Sequence, residues 1–473
     1  MLRCAVKKFA YFATFLTIVA NIYIYTYPSF HPEQCSWNCS NKNAPLQKDL
    51  TFVDKVKNYF SDVREQWHGS HASAGNDEDI HILAFGDPQI KGIWPKTPYV
   101  SRLDTYGNDY YLGHIYDMMQ QRLKPQVVTV MGDLFSSQWI GDSEFHNRTK
   151  RYISRIFKRD PTSIENIKQQ NLDEKGQYKA NWPEWGDRFN EILDNVKENE
   201  ADNQELSFGF GYENIHSWNP DLEDFLIINI TGNHDVGYSG DATYQHMTRF
   251  HDLFGKDNYW IEYETNTTHP WRIVVLNDLL LEGPALQPEF VEATWIFLNQ
   301  LNERKFNGST VLLTHVPFYK REGLCVDGPD TRYYPDAHAP ESYKSGLLRS
   351  QNHLSESVSN QVLNMIFENG KPGIILTGHD HEGCETVYNK KSASTWEATK
   401  NIESDVFVKE ITVKSMMGEF NGNTGLVTGH FNTDSMTWEW TFSLCPFAIQ
   451  HVWWFAKVSL LVTIFTWSSL LFV

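Results

Sequence analysis

Cysteine is scarce and never closely paired: Cys4, Cys35, Cys39, Cys325, Cys384 and Cys445 are the only six in 473 residues, and no Cys-x-x-Cys occurs. That excludes a zinc ribbon or a thioredoxin-type motif. Positive charge is also in short supply. With 41 Lys and Arg against 59 Asp and Glu, the formal net charge is -18, so there is no broad basic face for nucleic acid. Low hydrophobicity, the mark of global disorder, is absent too. Hydrophobic residues at 41% and aromatics at 14% supply a core, and the length suits one large domain or two smaller ones plus anchors.

Apolar stretches mark both ends. Residues 1–8 carry Arg3, Lys7 and Lys8, and an apolar run follows from Phe9 to Tyr27, roughly 28 Å as a helix. A cleavable signal peptide has a shorter apolar region and a small-x-small site, whereas here aromatic and β-branched residues run on to Tyr27 and Pro28. Residues 9–27 are therefore predicted to be an uncleaved anchor, with residues 1–8 cytosolic and the remainder lumenal. Residues 452–473 are apolar apart from Lys457, with Trp453 and Trp454 suited to a membrane interface. They are predicted to be a second span. Val458 to Val473 alone is roughly 24 Å, which fits a thin membrane such as the endoplasmic reticulum. A removed lipid-anchor signal would need a polar spacer before the tail; an amphipathic hairpin packed on the central domain remains the other alternative. Sequons at Asn38, Asn147, Asn266 and Asn307 agree with a lumenal domain, while Asn229, inside an apolar run, is expected to be buried and unmodified. In an oxidising lumen Cys35 could pair with Cys39, and Cys325 with Cys384.

Between the anchors, residues 28–79 read as a polar stem with an amphipathic patch at Phe52, Val56, Tyr59 and Phe60. A repeating pattern occupies residues 80–445. Short apolar runs of buried-strand type end in polar loops: Ile80–Phe85 before Gly86-Asp87, Val127–Met131 before Gly132-Asp133, Phe225–Ile230 before Gly232-Asn233-His234-Asp235. Arg272–Asn277 is another such run. Thr310–Thr314 precedes His315, and Gly373–Thr377 precedes Gly378-His379-Asp380-His381. Helical spacing is clear at Leu112–Leu123, Val291–Glu303 and Val358–Glu368. Runs at 406–414, 425–431 and 436–444 are expected to close a second sheet. Insertions fall at about 137–222 and 322–357. The first carries Trp139, Trp182, Trp185 and Trp218, for which packing within an accessory subdomain is the simpler role than glycan contact. This is the layout of an α/β sheet protein with its site at the carboxyl ends of the strands.

The loops bring two carboxylates, an amide oxygen and three imidazoles, a mixed O/N set without thiolates that suits Mn²⁺, Fe or Zn²⁺. Two such ions about 3.5–4 Å apart lower the pKa of a shared water and clamp both oxygens of an in-line displacement at phosphorus. In order and identity these loops resemble the calcineurin-like metallophosphoesterases, over roughly residues 80–445. The resemblance implies a four-layer α/β sandwich with a di-metal site. It assigns Asp133 as the bridge, Asp87 and His381 to the first metal, and Asn233, His315 and His379 to the second. His234 becomes the general acid or transition-state stabiliser, with Asp235 orienting its ring. Gln89 stands where the family usually has His, and its amide oxygen is a weaker ligand for the first metal. Leu134-Phe135-Ser136-Ser137 replaces the Asp-Arg-Gly extension of protein phosphatases, which disfavours a phosphoprotein substrate.

The double anchor and lumenal placement resemble the branch that remodels glycosylphosphatidylinositol (GPI) anchors in the endoplasmic reticulum. Those enzymes remove ethanolamine phosphate from a mannose of the glycan. This resemblance implies two divalent ions, Mn²⁺ by preference, GPI glycolipid or GPI-anchored proteins as substrate, and export cargo receptors as partners. A nucleotide or phospholipid head group would serve the same chemistry. A cargo receptor without catalysis would have no need of His234.

Overall fold

The computed structural model describes residues 2–37, 50–68, 79–198, 225–336 and 341–472; the sequence readings on Asn38, Cys39 and Trp218 lie outside these. The helices are α1 (Leu2–Phe30), α2 (Pro32–Cys35), α3 (Phe52–His68), α4 (Tyr99–Leu123), α5 (Asp142–Arg151), α6 (Thr162–Asn171), α7 (Trp182–Glu198), α8 (Tyr244–Phe254), α9 (Pro288–Glu303), α10 (Glu356–Ile366) and α11 (Gln450–Ser469). The strands are β1 (Ile80–Phe85), β2 (Val127–Val130), β3 (Leu226–Asn229), β4 (Tyr259–Tyr263), β5 (Trp271–Val275), β6 (Ser309–Leu313), β7 (Thr331–Tyr333), β8 (Leu348–Gln351), β9 (Gly373–Thr377), β10 (Cys384–Lys390), β11 (Trp396–Thr399), β12 (Phe407–Thr412), β13 (Asn423–Asn432) and β14 (Thr437–Pro446).

Two sheets face each other, in the orders β14-β13-β1-β2-β3 and β11-β10-β12-β9-β6-β5-β4. Their central strands are short and apolar on both faces, which is what burial between two layers demands. Alternation divides the load. Ile82, Ala84, Val127, Ile228, Val311, Leu313, Ile374 and Val427 fill the space between the sheets. Leu83, Phe85, Val128 and Val130 point the other way, against Leu112, Ile115 and Met119 of α4. On the far side Leu312 and Ile375 meet Phe297 of α9 and Leu363 of α10. The result is the expected four-layer α/β sandwich. Strands β1, β2 and β3 run parallel, as do β5, β6, β9 and β12, so their carboxyl ends gather on one rim.

Two strands expected in the second sheet lie elsewhere. β13 runs antiparallel to β1, with Ile82 opposite Val427, and carries β14 at its outer edge; of the three late runs only β12 joins the second sheet. The hairpin β10–β11 takes the edge position instead. Asn229 is 1% exposed and takes a hydrogen bond from the Tyr152 hydroxyl. Trp185 packs on Phe189 and Tyr244, whereas Trp139 is exposed.

α1 and α11 are each long and apolar enough to cross a membrane; α1 extends past the 9–27 run at both ends, whereas α11 begins at Gln450 and ends at Ser469, short of the end of the 452–473 run. They lie antiparallel. Thr17 and Thr463 share a 2.9 Å hydrogen bond, Trp467 donates to Thr14 at 2.9 Å, and Lys457 reaches the Tyr25 hydroxyl at 3.2 Å. Residues 31–37 are not a free stem. The Trp37 indole is buried, donates to Leu123 O at 2.9 Å and stacks on His81, because an apolar ring there extends the core beyond β1. Cys35 pairs with Cys445, not with Cys39, since α2 sits against β14; Cys325 pairs with Cys384.

Candidate metal centre

Each predicted ligand follows a strand that fixes its position, and the loops leave those strands sharply. Asp87, Gln89, Asp133 and His379 all adopt positive φ, at 34°, 41°, 48° and 71°. Such values are unfavourable for these residues and persist where the surroundings enforce them, characteristically at functional sites. Close approach explains one neighbouring glycine. A Cβ on Gly232 would overlap the backbone and carboxylate of Asp133, so only glycine lets the β2 and β3 loops touch.

The side chains converge in two groups joined at Asp133. In the first, Asp87, Asp133 and His381 each offer a ligand atom, all within 4.8 Å of one another. Asp87 is fully buried; its Oδ1 accepts the His379 N–H at 3.2 Å while Oδ2 has no partner. Burial and then the neighbouring Asp133 push the Asp87 carboxyl well above the usual range. Gln89 lies in the same group, its amide nitrogen 3.0 Å from Asp133 Oδ2 and 3.2 Å from His381 Nε2. Turning the amide over would aim its oxygen at the same point.

In the second group Asn233 Oδ1 stands 3.1 Å from His315 Nε2 and 3.0 Å from His379 Nδ1. The opposite ring nitrogens are engaged. His315 Nδ1 is 2.8 Å from Met131 O, a carbonyl that can only accept. His379 Nε2 is 3.3 Å from the Tyr238 hydroxyl, which itself donates to Gln351 O at 3.2 Å. Each ring therefore carries its proton on the far side, and two imidazole lone pairs meet an amide oxygen with no proton between them. Burial reinforces the neutral form, lowering His315 and pushing His379 down to about 3. Converging lone pairs and an orphaned carboxylate oxygen repel one another unless a cation sits among them. The donor set fits divalent metal ions in both groups.

His234 stands at the open side. Its ring is 37% exposed and Nε2 lies 3.8 Å from Asp133 Oδ2, while its N–H donates to Asp133 Oδ1 at 2.8 Å. Asp235 does not orient that ring. Its buried carboxylate accepts the N–H groups of Gly232 at 2.9 Å, Phe135 at 3.1 Å and Leu134 at 3.2 Å, because the tight turn after Gly232 folds it inward. Asp235 thus staples the Asp133 loop to the Asn233 loop. Asp235→Asn would set an amide NH₂ against a backbone N–H. It is expected to cost about 1.5–3 kcal/mol of stability, read as a lower unfolding midpoint of the metal-free chain. An unchanged midpoint would refute the staple.

Two further residues act on the ligands from behind. Asp278, after β5, accepts the N–H of Val316 at 3.1 Å and of His315 at 3.4 Å, and burial raises its carboxyl to about 7. Tyr238 holds His379. Asp278 ends an apolar run and could have been singled out; Tyr238 carries no sequence signal.

Residues 80–383 match the family model described as calcineurin-like phosphoesterase. An uncharacterized protein of Schizosaccharomyces pombe is 26% identical over 390 residues, covering 76% of this chain and 72% of that protein. Metallophosphoesterase 1 of Danio rerio is 24% identical over 228 residues, 44% of this chain and 51% of the relative. The protein of the same name from Xenopus laevis is 24% identical over 186 residues, 35% and 44%. The chain thus spans about half the length of the Metallophosphoesterase 1 relatives it matches.

Proposed function

The chain belongs to the calcineurin-like phosphoesterase family and is a metal-dependent phosphoester hydrolase; from that premise we propose that it removes ethanolamine phosphate from a mannose of the GPI glycan, in the lumen of the endoplasmic reticulum. The observation that carries this reading is the nearness of the metal centre to the start of α11, the helix that pairs with α1. The His381 ring packs on Phe420 at 5.1 Å. Phe420 belongs to the turn Gly418–Phe420, which lies against Gln450, the first residue of α11. Phe447, just before α11, donates to Gly422 O at 3.0 Å. A site held at the foot of its own anchors favours an ester carried by a membrane lipid over a free nucleotide. GPI-anchored proteins would then be substrates, and export cargo receptors the next partners to take them. The relatives named Metallophosphoesterase 1 support the same class of chemistry.

The ions, taken here as Mn²⁺, would be held by Asp87, Gln89, Asp133 and His381 on one side and by Asp133, Asn233, His315 and His379 on the other. When bound they activate a water nucleophile and neutralise charge developing on the phosphoryl oxygens. The protein's own part is positional. Asp133 holds the His234 backbone, which sets the imidazole at the open edge. From there Nε2–H can deliver a proton to the departing sugar oxygen.

A phospholipid head group shares the membrane placement, so the test must distinguish it. Mass spectrometry of anchor glycans from cells lacking the chain should show retained ethanolamine phosphate on one mannose. Unchanged glycans with altered phospholipids would transfer the activity to the head group. Purified full-length chain with Mn²⁺ should hydrolyse an aryl phosphodiester; binding of anchored proteins without any hydrolysis would make it a receptor.

A further inference from the structure

α4 crosses the lumenal end of the α1–α11 hairpin at a slant. Near its carboxyl end, Arg122 donates to Ser29 Oγ at 3.2 Å. Two turns earlier, His114 Nε2 lies 3.1 Å from Ile24 O, its ring 4.8 Å from Tyr25. Tyr111 donates to Ala448 O at 3.1 Å, and a Cβ on Gly107 would strike the Trp454 ring. Followed towards the start of α4, the contacts move from Ser29 back to Ile24 on α1 and from Ala448 on to Trp454 on α11. Both movements run deeper into the apolar helices. The helix therefore descends amino end first, and its residues before Gly107 lie lowest.

The apolar side chains there and in the preceding loop are uncovered among the described residues. Tyr99 is 79% exposed, Val100 76%, Leu103 45% and Tyr106 47%, and Trp94 in the preceding loop is 49% exposed. Positions 99, 100, 103 and 106 fall on one face of a helix. A contiguous apolar face of this kind on a soluble surface signals a binding partner. Basic groups rim it: Lys96, Arg102 and Lys158 are exposed, and the Arg155 guanidinium lies 5.3 Å over the Tyr106 ring, with Asp104 the acid on the same turn. Aromatic and aliphatic residues rimmed by Lys and Arg are the composition that settles in a lipid headgroup layer, here within a chain whose overall charge is acidic. The loop is also held in shape. Arg102 donates to Thr97 O at 2.8 Å and to Trp94 O at 3.2 Å, so presenting Trp94 costs little ordering.

We infer that the loop Lys91–Pro98 and the first two turns of α4 form a third membrane-contacting element, seated in the headgroup layer of the leaflet from which α1 and α11 descend. It rests on the reading of those helices as spans. The loop begins two residues after Gln89, and Arg151 donates to Lys91 O at 2.7 Å, so this contact sets the height of the metal centre above the lipid.

Lipid-quenching fluorescence decides it. The full chain, with Cys4→Ser and Cys39→Ser, is reconstituted in nanodiscs of phosphatidylcholine and phosphatidylserine containing an acyl-chain spin label near the headgroup. An environment-sensitive dye is attached at Leu103→Cys, at Phe465→Cys in α11, or at Asp434→Cys in the remote β13–β14 turn. Quenching at 103 and 465, with none at 434, is expected. Quenching at 465 with none at 103 overturns the inference and leaves the span reading standing. If 465 is also unquenched, the spans themselves fail and the inference with them. Disulfide cross-linking of Leu103→Cys chains to one another, without quenching, would put a second copy on this face and overturn it equally.

Discussion

Asp133→Asn is expected to reduce turnover by far more than the roughly 10–100-fold typical of losing an outer-shell partner, and to lower the metal content of the purified chain. The substitution is nearly isosteric, and its Oδ1 can still take the His234 N–H that Asp133 accepts at 2.8 Å. What changes is charge. Asp87 and Asp133 are the only carboxylates among the predicted ligands, and Asp133 alone faces both groups, with His315 Nε2 at 3.4 Å on one side and Gln89 at 3.0 Å on the other. Removing it leaves one carboxylate opposite two dications in a buried space, where the lost attraction is poorly replaced by solvent. Gln89→Ala removes a neutral, weaker ligand from one site and should cost much less. Elemental analysis and turnover of an aryl phosphodiester, measured on both variants, provide the comparison. Equal losses, or the greater loss at Gln89, would show that Asp133 is not the bridge.

His234→Ala should keep both metals and a normal unfolding midpoint yet lose about 10²–10⁴ in rate on an alkyl ester, the usual worth of general acid catalysis. The ring is partly exposed and its Nδ1 has no hydrogen-bond partner, so truncation leaves no buried partner stranded. An ethanolamine-phosphate ester of a sugar expels an alkoxide, a poor leaving group that needs a proton. An aryl ester expels phenolate and needs one much less. The deficit should therefore shrink on the aryl substrate. Equal deficits would assign His234 to stabilising phosphoryl oxygens, and full activity on the alkyl ester would remove it from the reaction. Asp235→Asn attacks the loops, whereas this change removes only the proton donor.

Much of the fold was readable because its central strands are buried on both faces. Ile80–Phe85 and Gly373–Thr377 read as apolar runs ended by Gly and a polar loop, and the site lies in those loops. Asp87, Asp133, Asn233, His315, His379 and His381 are conspicuous for that reason, and the structure gathers them in one place. What was missed depends on contacts distant in sequence. The pairing of β13 with β1 joins residues about 350 apart, and nothing local in 423–432 selects the first sheet over the second. Asp235 was misread because adjacency to His234 says nothing about the direction in which a turn sends a carboxylate. Tyr238 was invisible because it touches a ligand's far nitrogen, and Trp37 because a lone indole in a polar segment looks like chance.

The bond between Cys35 and Cys445 closes a ring of covalent structure over a sequence separation of 410, with α1 emerging from one side of the closure and α11 from the other. A protease that nicks any single peptide bond within that ring opens it without dividing the molecule. Both fragments stay joined at the neck, and each keeps its own terminal helix. On the reading that α1 and α11 span a membrane, an isolated nick in an exposed loop of that ring therefore leaves both halves held to each other as well as to the bilayer.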